Sequence, residues 1–154
     1  MNLGRASGLT AFCVFMAAST AAQAAHCTAP HSIKRVKNTS YGHYEKVIFD
    51  IVASPNRPYS VSTGKRPFIA DPSGLPVSVK GARFKKIRFT DVFWMCSIRQ
   101  TLSLPKTAVK DVKRLGQFEG VVEYVVGYRK ASRYLTTYAY PVGSNWKVVM
   151  KFKK

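Results

Sequence analysis

The 154-residue chain predicts an all-β protein, a single-domain β-sandwich with at most one short helix, and three observations carry that expectation. Apolar residues recur with period two in almost every apolar segment. Clusters of Pro, Gly, Asn, Asp and Ser interrupt those segments at short intervals. Only one stretch carries helix punctuation. Short alternating runs bounded by turn residues form sheets, and a sheet with one apolar face must bury it against another element.

Residues 1–25 come first and stand apart. They hold Arg5, an apolar run "LTAFCVFMAA" over 9–18, and a small-residue stretch that ends in Ala22, Gln23 and Ala24. This is the pattern of a Sec signal peptide, not of a structural helix. The apolar run is too short for a bilayer, and no later stretch approaches the roughly 20 apolar residues that spanning needs. Residues 26–154 are therefore expected to form one exported domain, periplasmic or extracellular, with no transmembrane segment. Its 154 − 25 = 129 residues suffice for one core and not for two.

Within that domain the first strand is expected at 33–37. In 47–52, Val47, Phe49 and Ile51 share one face, and Ile48, Asp50 and Val52 the other. Strands at 59–62 and 77–80 follow. The segment "ARFKKIRFTDV" breaks phase at Lys85 and Lys86, because Phe84 falls opposite Ile87 and Phe89; a β-bulge there would bring all three to one side. A strand is expected at 98–104. Residues 105–116, "PKTAVKDVKRLG", are the one helix candidate, with Pro105 in the first turn and Gly116 just past the end. In 121–129, Val122, Tyr124, Val126 and Tyr128 share a face while Val121 and Val125 occupy the other, so this strand should be covered on both sides. A strand at 134–140 precedes the cleanest alternation in the chain. Trp146, Val148, Met150 and Phe152 point one way, to the core; Lys147, Lys151 and Lys153 point the other, to water or a ligand. "SPNRP", "ADPSGLP", "SLPK" and "PVGSN" supply turns.

Charge narrows the partners. Lys and Arg number 25 against 7 acids, and removal of Arg5 with the signal leaves 24 − 7 = +17. Such a domain is drawn to polyanions. In an envelope these are peptidoglycan, teichoic acid, lipopolysaccharide phosphates and anionic lipids; nucleic acid matches the sign but not the compartment. A solvated basic surface that serves solubility is the plainer alternative. The candidate contacts are Lys86, Arg88, Arg129, Arg133, Lys147, Lys151 and Lys153, with Tyr138 and Tyr140 as rings for sugar stacking. Tyrosines at strand spacing also suit cross-strand or core pairs.

Of three cysteines, Cys13 leaves with the signal. Two thiols in an exported domain predict a disulfide between Cys27 and Cys96, worth about 4 kcal/mol on the loop-entropy model. Two unrelated buried thiols are the alternative.

The stretch "YGHYEKVIFDI" over 41–51 gathers His43, Glu45 and Asp50. On an extended strand His43 and Glu45 project on one face and Asp50 on the other, so the three do not converge. His43-x-Glu45 lacks the Pro-Cys-x-x-Cys that completes a zinc deaminase signature. No His-x-x-x-His or paired-cysteine set exists, so neither a metal nor another cofactor is expected. Cys96 in "MCSIR" lacks the His-Gly and Ser-x-Gly context of a transpeptidase thiolate. A non-catalytic protein is the expectation. The alternative function is a copper-binding protein or copper enzyme: cleavage after Ala25 would expose His26 as an N-terminal ligand, joined by His31 or His43. Ala22, Gln23 and Ala24 favour cleavage one residue earlier, which would remove that ligand.

Three segments, in order and spacing, make the chain similar to a known family. His43, Tyr44, Glu45 and Lys46 lead into a Val-rich strand. Gly74, Pro76, Val77 and Gly81 precede the next, and Phe118, Glu119 and Gly120 open a long apolar strand. The chain in this way resembles the AMIN-like domain family of exported bacterial proteins, over most of residues 26–154. The resemblance implies a β-sandwich and an envelope role. AMIN domains proper attach periplasmic enzymes to peptidoglycan or envelope machinery, whereas the AMIN-like branch often stands alone. The family usually closes with Pro-x-Arg-Leu-Val-Val-Asp. Here "GSNWKVVMKF" places Trp146 near the arginine position and lacks the aspartate. The resemblance carries no residue-level site.

Overall fold

The computed structural model describes residues 29–52, 59–95, 100–101 and 106–154. Residues 1–25, His26, Cys27, Cys96 and the "SPNRP" turn lie outside them. The described residues form β1 (Ser32–Tyr41), β2 (Tyr44–Val52), β3 (Tyr59–Thr63), β4 (Arg83–Phe89), β5 (Trp94–Met95), β6 (Gln100–Thr101), β7 (Val109–Phe118), β8 (Val121–Tyr128), β9 (Arg133–Val142) and β10 (Asn145–Lys153), with no helix among them. The larger sheet runs β5-β1-β2-β10-β9, and β6 also pairs with β1; the smaller runs β3-β4-β8-β7. Its long strands are antiparallel neighbours, whereas the two-residue β5 and β6 lie parallel to β1.

Alternation selects the side chains that meet between the sheets. Val47, Phe49 and Ile51 of β2 and Val148, Met150 and Phe152 of β10 face Ile87 and Phe89 of β4 and Val122, Tyr124 and Val126 of β8 in one core. Phe49 joins the two layers, its ring centre 5.0 Å from that of Phe89 and 5.1 Å from that of Tyr124. Burying a ring of this size contributes about 2–3 kcal/mol. The all-β sandwich expected from period and punctuation is the fold.

The expected helix and the expected bulge both fail, for related reasons. Where a short helix was expected at 105–116, residues 109–118 form β7. Its ladder to β8 shifts register between Val109 and Asp111 and again between Arg114 and Gly116. Each shift adds a residue, so Val109 and Val112 reach the same core at a spacing of three, and β-bulges imitate helical periodicity. In β4, by contrast, both ladders pass Lys85 and Lys86 without a shift. Phe84 therefore points away from Ile87 and Phe89, out of the sandwich. It is nevertheless buried, because a second apolar cluster of Phe68, Val79, Leu115 and Val125 surrounds it there.

That cluster is made by a strap, residues 64–82, which crosses the outer face of the smaller sheet. The strand expected at 77–80 belongs to it and forms no named strand. Backbone hydrogen bonds from Val77 N to Phe68 O and from Asp71 N to Leu115 O, both 2.8 Å, hold it to itself and to β7. Val79 of the strap and Val125 of β8 are both buried in this cluster, so β8 is covered on both sides as its composition predicts. Of the strand expected at 98–104, Gln100 and Thr101 pair with Val36 and Lys37, and the rest lies outside the described residues.

Candidate functional site

The outer face of the larger sheet is built by the same alternation that builds the core. Register sets its side chains in four rows across β1, β2, β10 and β9: Arg35, Asp50, Lys147, Tyr140; Lys37, Ile48, Val149, Tyr138; Thr39, Lys46, Lys151, Thr136; and Tyr41, Tyr44, Lys153, Arg133. Rows of this kind lie roughly 7 Å apart along the strands, with neighbours about 5 Å apart across them. Asp50 is the one acid in the rows, and Arg35 binds its Oδ2 through both Nε and a terminal guanidinium nitrogen at 2.7 Å. Lys147 stands next to Asp50 on its other side, whereas Lys37, Lys46, Lys151, Lys153 and Arg133 lie in rows with no Asp or Glu among the described residues.

Lysine and tyrosine interleave here. The Lys151 ammonium stands 3.9 Å from the Tyr44 ring centre, and that of Lys46 stands 5.0 Å from Tyr41 and 5.7 Å from Tyr44. Each such contact at an exposed site contributes about 0.5–1 kcal/mol and restrains a side chain that otherwise samples many rotamers. Burial alone would lower the pKa of Lys46. A hydrogen bond with Tyr138 and the phenol groups of Tyr138, Tyr44 and Tyr41 outweigh it and hold that pKa above the ordinary lysine value, so the ammonium stays charged at neutral pH. Ile48 and Val149 are buried within this face, so it is not the purely basic surface that the three C-terminal lysines suggested.

Six of the nine residues singled out in the sequence come together on this face: Arg133, Tyr138, Tyr140, Lys147, Lys151 and Lys153. Tyr138 and Tyr140 stack on each other, with ring centres 6.2 Å apart at an interplanar angle of 23°, so one face of each ring is already covered. Arg129 is exposed between β8 and β9, where its backbone N–H donates to Ala108 O. Lys86 and Arg88 lie on the opposite side of the sandwich, on the outer face of the smaller sheet, and Lys86 is ion-paired with Glu123. Sequence reasoning missed Lys37, Tyr41, Tyr44 and Lys46. Their signal was available: the Gly42–His43 turn fixes the β1–β2 register and places Tyr41 opposite Tyr44.

His43, Glu45 and Asp50 separate as expected. Glu45 is buried, and its carboxylate accepts hydrogen bonds from the N–H groups of Ala108 (3.1 Å) and Val109 (2.8 Å) at the start of β7. Asp50 points out to Arg35. His43 is exposed in the turn after β1, whereas His31 precedes β1 and its Nδ1 lies 2.7 Å from Asp91 Oδ2. The ten residues of β1 keep the two histidines roughly 30 Å apart, so they cannot share one ion. Among the described residues no three His, Cys, Asp or Glu side chains converge on a metal-sized site, and no helix is long and apolar enough to cross a membrane.

Fold and face define a class: a β-sandwich with one sheet face rich in lysine and tyrosine and with its conspicuous carboxylates used in the fold. The family model of the AMIN-like domain matches residues 31–150, and the chain belongs to that family. The match takes in both sheets, from the start of β1 to Met150 in β10. AMIN-like domains occur in exported envelope proteins, and membership suggests a non-catalytic module of the cell envelope. A comparison with curated proteins finds no significant match.

Proposed function

We propose that the exported domain binds peptidoglycan or another anionic envelope polymer, such as teichoic acid or lipopolysaccharide, without changing it. The observation that supports this most is the pair of adjacent rows holding Lys46, Lys151, Lys153 and Arg133 with no acid among them. Ammoniums restrained over tyrosine rings at spacings of about 5–7 Å can meet successive charges of an extended polymer while losing little further rotamer freedom. Attraction of this kind is screened over a Debye length of about 8 Å at physiological ionic strength, so binding weakens as salt rises.

Sedimentation with purified sacculi over a salt series tests the reading. Wild-type protein is expected to pellet at low salt. Replacing Lys147, Lys151 and Lys153 together by glutamine should weaken binding about tenfold, three contacts at roughly 0.5 kcal/mol each, with little change in Tm. Protein that stays in the supernatant at low salt would sink wall binding. Equal pelleting with sacculi, DNA and anionic vesicles would leave only nonspecific charge.

The same exported state fits a Cys27–Cys96 bond. Its support is that these are the two cysteines left after residues 1–25, in a compartment that favours oxidation; both lie outside the described residues. Non-reducing peptide mass spectrometry should recover the two cysteines in one linked species; two free thiols in protein taken from the envelope would argue against it.

A further inference from the structure

On the far side of the sandwich, the strap closes only half of the smaller sheet's outer face. The open half is a groove of about 670 Å³, continuous with a hollow of about 550 Å³ at the β7–β8 turn; the two share Asp71, Leu115, Gly116, Phe118 and Glu119. Its polarity changes along its length. Lys65 and Arg88 line the first part, over a floor that holds the Lys86–Glu123 ion pair. Asp71 and Glu119 stand where groove and hollow meet. Ile69 is 48% exposed, and Phe118 and Phe93 are each 52% exposed along the walls.

The carboxylates are informative because the chain has only seven. Glu45, Asp50, Asp91, Asp111 and Glu123 are each held by backbone N–H groups, by a Lys or Arg side chain, or, for Asp91, by the His31 ring. Asp71 and Glu119 have no such partner among the described residues, in a protein where cations outnumber acids more than threefold. Arg114 lines the hollow as well, but its charge lies near enough to Tyr124 to oppose the upward push of burial on that hydroxyl.

We propose that this groove binds a short peptide with free ends. The terminal carboxylate would meet Arg88 and Lys65, the terminal amine would sit between Asp71 and Glu119, and an apolar first side chain would enter the hollow between Phe93 and Phe118. Length fits the charges. Arg88 is level with Glu123, and Glu119 is four residues earlier in the hairpin, at most ~13 Å away, the span of three to four extended residues. Opposite charges at the two ends select free termini over a segment inside a longer chain, which brings neither. The site lies on the other sheet from the polymer-binding face and does not depend on that reading.

Calorimetric titration with the tetrapeptide Leu-Ala-Ala-Ala, its amide and its N-acetyl form provides the test. The free peptide should bind, and blocking either end should weaken it about tenfold, the equivalent of about 1.4 kcal/mol. Lys65→Gln with Arg88→Gln should weaken the free peptide by the same factor and leave the amide unaffected further. Asp71→Asn with Glu119→Gln should do the same for the acetylated form. These side chains are exposed or on the groove rim, and an unchanged Tm would show that each variant folds. The Lys147, Lys151 and Lys153 glutamine variant should bind the peptide as wild type does, so loss of polymer binding and loss of peptide binding are separable. No heat at millimolar free peptide, or equal affinity for the free, amidated and acetylated peptides, would overturn the assignment.

Discussion

Glu45 is a carboxylate taken into the core for structural reasons. It lies on the inward face of β2 beside Val47, 1% exposed, and reaches the first N–H groups of β7, some sixty residues on. A buried polar group is tolerated when its hydrogen bonds are made, and removing an acceptor leaves the donors to bear the full cost of desolvation. Glu45→Ala strands the N–H groups of Ala108 and Val109 and should lower unfolding free energy by about 3 kcal/mol in urea denaturation. Glu45→Gln keeps one accepting oxygen and should cost less. Equal stability of wild type and the alanine variant would show that these bonds do not hold β7 to β2. The inward direction of Glu45 was readable from alternation with Val47 and Phe49. Its partners were not, because a backbone N–H has no sequence signature and this pair lies in another sheet.

Strands β7 and β4 show where periodicity misleads. A spacing of three between Val109 and Val112 is equally a helix turn or a bulged strand, and only the ladder to β8 distinguishes them. Phe84 was legible as out of phase with Ile87 and Phe89. The cause was not, because the strap that covers it joins segments far apart in the chain. The strap's grip can be tested at Gly127, on the outward face of β8, where a Cβ would run into the carbonyl oxygen of Lys80. Backbone cannot swing aside as a side chain does, so Gly127→Ala must displace the strap or the strand. A loss of about 2 kcal/mol is expected, with the amides of Val77 and Asp71 exchanging faster than those of β2. Unchanged stability and exchange would mean that the strap is not packed on β8 at that point.

At the scale of the molecule, the two sheets turn different surfaces outward, and charge alone would not distinguish them. Excess positive charge is legible in composition, as is the lysine stripe of β10. The concentration of lysine and tyrosine on one face is not, because it needs the register of four strands, two of them from the other end of the chain. A charge-matched comparison separates arrangement from total. Replacing Lys147, Lys151 and Lys153 by glutamine changes the charge of residues 26–154 from +17 to 17 − 3 = +14. Replacing Lys80, Arg83 and Lys113, exposed residues of the strap and the smaller sheet, gives the same +14. If long-range attraction to a polymer were all that mattered, both variants would lose affinity equally, since net charge sets that part of the field. Close contacts add to it only where side chains meet the ligand, so the first variant should bind sacculi about tenfold more weakly than wild type and the second only about twofold. Raising salt to about 0.5 M should bring the three curves together, because screening removes the advantage of arrangement and of total charge alike. Equal weakening of the two variants at low salt would locate the binding in the whole surface and not in the rows that β1, β2, β10 and β9 present.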